Sequence, residues 1–312
     1  MRTASNLERI LRQGEFAVTA ECGPPKGSDP QVILDKAALL KGKVDAVNVT
    51  DNQTAIVRMS SMAACAILKS EGMDPVLQMV VRDRNRIALQ SDILGAAALG
   101  IRNVLCLSGD HQLFGNQPQA MGVYDLDSVQ LISTVRQMRD EAKIIGGETL
   151  SKAPGLFIGA AANPFADPLS FRVVRLAKKI SAGADFIQTQ CIYNIERFEH
   201  WIAMARDRGL TDKAFILGGV TPLKSSGMAR YMKNKVSGMD IPDELIRRMD
   251  GVPKDRQKEE GIKICVETIE RVKDMPGVKG VHIMAIKWEE AVGEIVERAG
   301  LLPRPEAAPS GG

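Results

Sequence analysis

A chain of 312 residues, of which 45% are hydrophobic, is long enough to bury a large core, so extended disorder is excluded. Its 41 lysines and arginines nearly balance its 38 aspartates and glutamates, and no basic tract is interleaved with aromatic residues, so we expect no nucleic-acid partner. The amino-terminal residues carry scattered charges, and no apolar run reaches membrane-spanning length. We therefore expect a cytoplasmic protein that does not contact a membrane.

Cysteine and histidine are too scattered to indicate a metal site. The five cysteines include no CxxC pair, and the three histidines form no HExxH motif. We expect reduced thiols that pack in the protein interior, and no metal held within this chain. The cysteines also do not form a set that would hold an iron–sulfur cluster.

Strand and helix patterns alternate along almost the whole chain. After a short leading helix with Leu7, Ile10 and Leu11 on one face, apolar runs predict eight strands. The predicted strands are residues 16–22, 45–50, 75–81, 103–108, 156–162, 185–192, 214–220 and 278–286. Helical periodicity follows them at residues 30–40, 54–70, 86–99, 127–144, 168–181, 195–208, 224–233 and 288–299, with two extra helices at 242–249 and 254–272.

This alternation predicts an α/β protein with a parallel sheet, because strands that alternate with helices pair through right-handed crossovers. Eight such units over about 250 residues favour a (β/α)₈ TIM barrel over an open, doubly wound sheet. We expect one barrel domain over residues 1–302, with the extra helices before the last strand. Residues 303–312, PRPEAAPSGG, have no apolar face and are predicted to be a disordered tail.

The run FAVTAECGPP at residues 16–25 places Glu21 at the carboxyl end of the first predicted strand. In a parallel barrel this is the end at which ligands bind. Burial in such a cleft raises the pKa of a carboxyl group and allows it to serve as a proton donor. The sequence leaves a structural alternative open, in which Glu21 caps a helix or pairs with a surface lysine.

The other predicted strands end mostly in uncharged polar side chains. An amide- and hydroxyl-rich pocket suits a heterocycle with both donors and acceptors, such as a pterin or an isoalloxazine. Asp110, in LCLSGDH, would accept hydrogen bonds from such a ring or would close an Asx-turn. Gln190 would contact the ligand or be satisfied by neighbouring strands. The remaining candidates are Thr50, Asp51, Asn52, Gln78, Arg82, Ser108, Gly109, Asn163 and Gln188.

Several familiar catalytic signatures are missing from the sequence. No GxGxxG fingerprint follows a strand, so a separate Rossmann domain is not predicted. No GxSxG elbow is present and no histidine lies at a predicted strand end, so nucleophilic hydrolysis has no candidate residues.

A series of motifs in this order, from about Leu7 to Leu302, resembles the methylenetetrahydrofolate reductase family. The motifs are AECGPP at 20–25, VNVTDN at 47–52, LCLSGD at 105–110, AANP at 161–164, SAGADFIQTQ at 181–190, IPDELIRRMDG at 241–251 and GVKGVHI at 277–283. The resemblance implies a flavin-bearing barrel. It also implies the reduction of 5,10-methylenetetrahydrofolate to 5-methyltetrahydrofolate by hydride transfer from the reduced flavin.

The resemblance also implies roles for individual residues. Glu21 matches the general acid that protonates a ring nitrogen of the folate. Asp110 matches the aspartate that lies beside flavin and pterin, and Gln190 matches a glutamine that binds the substrate. Positions that match cofactor contacts are Thr50, Gln78, Ser108, Gly109, Asp110, Tyr124, Asn163 and Lys179.

The chain departs from the family pattern in three places. Gln78 stands where better-known members have a histidine, and Arg172 and Arg175 follow the flavin-tail pattern poorly, so FAD and FMN both stay open. Residues 225–227 replace an aromatic that stacks on nicotinamide or folate. The electron donor is therefore left open between NADH or NADPH and an electron-transferring partner subunit, and we expect an oligomer or a hetero-complex.

Two other functions fit the sequence. One is a pterin-binding methyltransferase barrel that uses no flavin. The other is a non-catalytic scaffold subunit that keeps the barrel and docks to a redox assembly. Bound flavin distinguishes the expected reductase from the first, and flavin oxidation that depends on folate distinguishes it from the second.

Overall fold

Eight parallel strands pair in chain order and close into a barrel, which confirms the predicted (β/α)₈ fold. The structure is a computed structural model that describes residues 2–3 and 5–306. No predicted strand end differs from the observed one by more than three residues. The strands are β1 Ala17–Cys22, β2 Ala46–Val49, β3 Pro75–Val80, β4 Asn103–Leu107, β5 Phe157–Ala162, β6 Phe186–Cys191, β7 Phe215–Val220 and β8 Val278–Ile283.

The helices surround the barrel, and the two extra helices predicted before the last strand are present as α9 and α10. No helix in the described ranges is long and apolar enough to cross a membrane. The helices are α1 Asn6–Arg12, α2 Gln31–Leu40, α3 Ser61–Ser70, α4 Arg86–Ala98, α5 Ser128–Glu141, α6 Leu169–Ala182, α7 Ile195–Asp207, α8 Ser226–Lys235, α9 Asp243–Asp250, α10 Gln257–Lys273 and α11 Glu290–Arg298. Short 3₁₀ turns cover Gln53–Ala55, Gln112–Phe114 and Lys254–Arg256.

The lower half of the barrel interior is filled by apolar side chains. The rings of Phe157 and Phe186 stack with their centroids 5.0 Å apart, and the predicted apolar face of α1 covers this end of the barrel. Gly159 makes room for the stack, since a Cβ at that position would lie 2.3 Å from the Phe186 ring. All five cysteines are buried free thiols, as expected. Because the amino-terminal half of the barrel interior is packed, the space inside the barrel for a ligand lies at the carboxyl ends of the strands.

The predicted helix over residues 54–70 is wrong at its beginning. Residues 53–55 form a 3₁₀ turn, and α3 starts only at Ser61, where the Ser60 hydroxyl caps it by accepting the N–H of Ala63. Asn52, Thr54 and Ala55 have φ of 43°, 58° and 55°, a region that non-glycine residues rarely adopt. Helical periodicity did not reveal this turn, because contacts with other loops hold it in place. The segment instead crosses the carboxyl end of the barrel.

The predicted disordered tail is wrong for the residues nearest the barrel. Arg304 forms an ion pair with Asp45, with 2.6 Å between Arg304 Nη2 and Asp45 Oδ2, and both side chains are largely buried. The same guanidinium donates to the carbonyl of Phe16 at 2.8 Å. A single arginine therefore fixes residues 303–306 to the amino-terminal side of β1 and β2. Residues 307–312 lie outside the described residues.

Candidate active site

A cavity of about 410 Å³ lies at the carboxyl ends of the strands. Its floor is polar, and its sides include Leu105 and Leu107 of β4. Of the ten residues to which the family resemblance gives roles, five line it, and they come from five different parts of the barrel. These residues are Glu21, Gln78, Asn163, Lys179 and Gln190.

Glu21 is the acid of this cavity. Its side chain is 11% exposed, and burial is the main cause that raises its pKa from 4.5 to about 7. Gln53 partly opposes this effect, because its Nε2 donates to Glu21 Oε1 at 3.2 Å and thereby favours the charged form. Within the described residues, this carboxyl caps no helix and pairs with no surface lysine, so the structural alternative for Glu21 is wrong. A carboxyl with this pKa is partly protonated near pH 7.

His282 lies beside Glu21 in the barrel interior, on strand β8, which pairs directly with β1. Its Nε2 lies 4.0 Å from Glu21 Oε2, and its Nδ1 lies 2.9 Å from the hydroxyl of Thr19. Burial lowers the pKa of His282 to about 3, so the imidazole is neutral at physiological pH. The expectation that no histidine lies at a strand end is therefore wrong. β8 was predicted to run to residue 286, whereas it ends at Ile283, directly after this histidine.

Two amides and one hydroxyl form the floor beneath Glu21. Gln188 Oε1 accepts from Asn48 Nδ2 at 2.6 Å, and Gln188 Nε2 donates to Asn48 Oδ1 at 3.0 Å. Gln188 Nε2 also lies 3.2 Å from the Thr19 hydroxyl that contacts His282. These buried groups satisfy one another, so they form a rigid polar layer beneath the cavity.

The Gln53–Ala55 turn connects the two predicted catalytic carboxylates. Gln53 contacts Glu21, while the backbone N–H of Thr54 donates to the carboxylate of Asp110 at 2.9 Å. Arg82 supports the same place, because its Nη1 donates to the Asp110 carbonyl at 2.9 Å. Asp110 therefore holds the loop after β2, and the Asx-turn alternative is wrong. Its side chain is exposed and lies outside the cavity wall.

The other predicted cofactor contacts lie on the loops that follow β2 and β4. Thr50 Oγ1 is buried and has no hydrogen-bond partner among the described residues. The Ser108 hydroxyl donates to that of Ser128 at 3.2 Å. Gly109 has φ of 83°, and a Cβ there would lie 3.1 Å from Val80 Cβ. Tyr124 is 42% exposed. The roles of these residues stay predictions.

One side of the cavity is basic. Arg172, Arg175 and Lys179 all project from α6 and line it. The Lys179 ammonium donates to the carbonyl of Ala161 at 2.6 Å, and burial followed by repulsion from Arg175 lowers its pKa to about 8. Three cations on one helix form a wall that attracts an anion.

The family description for methylenetetrahydrofolate reductase matches residues 6–300. The chain belongs to this family. A probable methylenetetrahydrofolate reductase (NADPH) from Caenorhabditis elegans is 26% identical over 310 residues, which cover 95% of this chain and 44% of the relative. The chain thus spans less than half the length of that relative.

Two further comparisons cover nearly complete chains. The 5,10-methylenetetrahydrofolate reductase of Buchnera aphidicola subsp. Baizongia pistaciae is 22% identical, over 85% of this chain and 84% of its own. A solved structure from Clostridium thermocellum, an uncharacterised protein that binds two copies of 5-methyl-5,6,7,8-tetrahydrofolic acid, matches with a TM-score of 0.63 at 16% identity. It covers 94% of this chain and 98% of its own, and it supports the barrel fold.

Proposed function

We propose that this protein is a flavin-dependent reductase that converts 5,10-methylenetetrahydrofolate into 5-methyltetrahydrofolate. The observation that carries the proposal is the Glu21 carboxyl, which lies in the wall of the cavity with a pKa raised to about 7. An acid that keeps its proton near neutral pH is what the first step of this reduction requires. Membership of the reductase family supports the same assignment.

Glu21 acts as the general acid in this reaction. Its carboxyl gives a proton to a nitrogen of the five-membered ring of the folate, the carbon–nitrogen bond to the methylene group breaks, and the methylene carbon becomes part of an iminium cation. Loss of the proton leaves a carboxylate, which Gln53 stabilises through its hydrogen bond to Oε1. The neutral imidazole of His282 stays close to the other oxygen throughout.

The remaining polar groups bind and orient the substrate. Gln190, which lines the cavity, supplies an amide for a pterin ring. The resemblance gives Asp110 the role of orienting the pterin and stabilising the developing cation. Its carboxylate is held by the Thr54 N–H outside the cavity wall, so this role requires the bound ring to extend beyond the cavity.

The residues present fit a flavin. When bound, that cofactor supplies the hydride that reduces the iminium carbon. The α6 cations would hold the phosphate that FAD and FMN both carry. Thr50 is one of the predicted flavin contacts, and its hydroxyl, which has no partner among the described residues, would form a hydrogen bond with the cofactor. Gln78 and Asn163 would contact the ring from the cavity wall.

Electrons reach the flavin from NADH, from NADPH or from a partner subunit in an oligomer or hetero-complex. Adding each nicotinamide to the purified protein distinguishes these donors, because a protein that depends on a partner leaves both nicotinamides unoxidised.

The proposal is tested by product formation. Protein carrying flavin is reduced with dithionite without oxygen, excess reductant is removed, and 5,10-methylenetetrahydrofolate is added. We expect one 5-methyltetrahydrofolate for each flavin reoxidised. Reoxidation without this product contradicts the proposal, and folate binding by a protein that takes up no flavin favours the methyltransferase alternative.

A further inference from the structure

Glu21 also lines a second cavity, of about 130 Å³, on the side of β1 that faces α2 and the connection from β8 to α11. Gln53, Lys36 and Glu289 contribute polar groups to its wall. One water molecule needs only roughly 10–15 Å³ of accessible volume and two or more polar partners. The second cavity therefore has room for several waters next to the acid.

An ion pair stands on the far side of this cavity. Lys36 Nζ lies 2.5 Å from Glu289 Oε1, and Glu289 is buried. The same ammonium donates to the carbonyl of Gly23 at 2.8 Å, two residues after Glu21. The pair thus fixes the turn at the end of β1 to the start of α11. A partly buried ion pair contributes little net stability by itself, so its place beside the acid calls for another explanation.

The two members of the pair act on Glu21 in opposite directions. After burial and the Gln53 hydrogen bond, repulsion from Glu289 raises the pKa of Glu21, and attraction to Lys36 lowers it. The other ionisable groups around Glu21 come from several elements. They are the neutral His282 of β8, the buried thiols of Cys22 and Cys191, and the cations Arg58 and Lys287 in the wall of the second cavity.

We propose that Lys36 and Glu289 are positioning residues whose opposite charges act on Glu21 across the second cavity, so that each balances the effect of the other on how strongly Glu21 holds its proton. The inference rests on the proposed function, in which Glu21 is the general acid. Neither Lys36 nor Glu289 lines the substrate cavity, so the pair influences the acid without touching the substrate.

Single substitutions separate the two opposing charges. Glu289→Gln leaves the Lys36 cation, so the midpoint of Glu21 titration should fall by about 1 pH unit. Lys36→Met leaves the Glu289 carboxylate, so the midpoint should rise by about 1 pH unit. The double variant should return close to the wild-type midpoint. Glu290→Gln is the matched control, because Glu290 is exposed and outside this wall, and it should not move the midpoint.

The midpoint is measured by ¹³C NMR of protein labelled at glutamate side-chain carboxyls, with Glu21→Gln identifying the signal. The pH profile of flavin reduction by 5-methyltetrahydrofolate should move in step with it. Shifts of the same sign in both single variants, or no shift in either, would overturn the inference. Should Lys36→Met fail to fold, a midpoint that falls in Glu289→Gln and does not recover in the double variant would also overturn it.

The NMR titration needs no folate turnover, so the two claims fail separately. If the two single variants shift the Glu21 midpoint in opposite directions but the wild-type protein does not react with folate, the action of the pair on Glu21 is upheld and the proposed function is rejected. Folate turnover with unmoved midpoints would reject the inference alone.

Discussion

Replacing Glu21 with glutamine should make the protein more stable at alkaline pH while removing most of its folate chemistry. The pKa of the folded carboxyl is raised from 4.5 to about 7, mainly by burial. Between these values the folded state binds more protons than the unfolded state, so stability is lost as the pH rises through this window. Glutamine resembles the protonated acid in shape, carries no charge, and keeps an oxygen that accepts from Gln53.

The size of the effect follows from the two pKa values. Each unit between the folded and unfolded pKa corresponds to about 1.4 kcal/mol, so ionising Glu21 in the folded state costs about 3 kcal/mol above pH 8. At pH 5 about three quarters of the unfolded Glu21 carboxyls have lost their proton while the folded carboxyl keeps it, and this difference costs under about 1 kcal/mol. The difference in the free energy of unfolding between the variant and the wild type should therefore grow by about 2 to 3 kcal/mol in favour of the variant from pH 5 to pH 8.5.

Urea denaturation of both proteins at the two pH values measures this gain. Glu290→Gln serves as the control, since Glu290 is exposed and the substitution should change stability equally at both pH values. The activity of Glu21→Gln should fall: its flavin should still be reducible, but folate reduction should be slower than in the wild type by about 10²-fold or more. A stability gain that does not depend on pH, or unchanged folate turnover, would refute the role given to Glu21.

Three further substitutions test the fold and the surroundings of the acid. Between pH 7 and pH 5 the free energy of unfolding of the wild type should fall by about 2 kcal/mol more than that of His282→Gln, as measured by urea denaturation. The reason is that the unfolded imidazole binds a proton below about pH 6.5, whereas the folded one stays neutral. Equal losses would contradict the burial of His282 as a neutral ring. Gly159→Ala should cost about 1–3 kcal/mol by overpacking the stacked rings, whereas Gly146→Ala, with open space around it, should cost far less in the same denaturation. Arg304→Met should cost about 3–5 kcal/mol because it leaves the Asp45 carboxylate buried and unpaired, and an unchanged urea midpoint would argue against this ion pair.

The barrel was predictable from the sequence because its signal is repeated. Each strand is an apolar run that ends at a polar or glycine-rich segment. Because this pattern occurs eight times, a wrong boundary at one strand does not change the predicted fold. The same reasoning located Glu21, since Gly23 and the two prolines after it mark the end of β1. Five of the residues to which the family resemblance gives roles line one cavity, because strand ends in a parallel barrel converge.

What the sequence did not reveal depends on contacts between distant segments. Thr54 and Ala55 of the Gln53–Ala55 turn were assigned to a helix, because they are held by contacts with Asp110 and other loops and carry no local turn signal. The Lys36–Glu289 pair joins residues far apart in the chain, and no spacing rule brings them together. His282 was overlooked because an error in the end of β8 placed it in the middle of a strand.

The visible spectrum of the purified protein during anaerobic titration with 5-methyltetrahydrofolate is the most direct test of the proposed reductase. Bound flavin should lose its visible absorbance in proportion to the folate added, and Glu21→Gln should keep the flavin but lose most of this response. A bound flavin that stays oxidised with excess 5-methyltetrahydrofolate would contradict the proposed reductase.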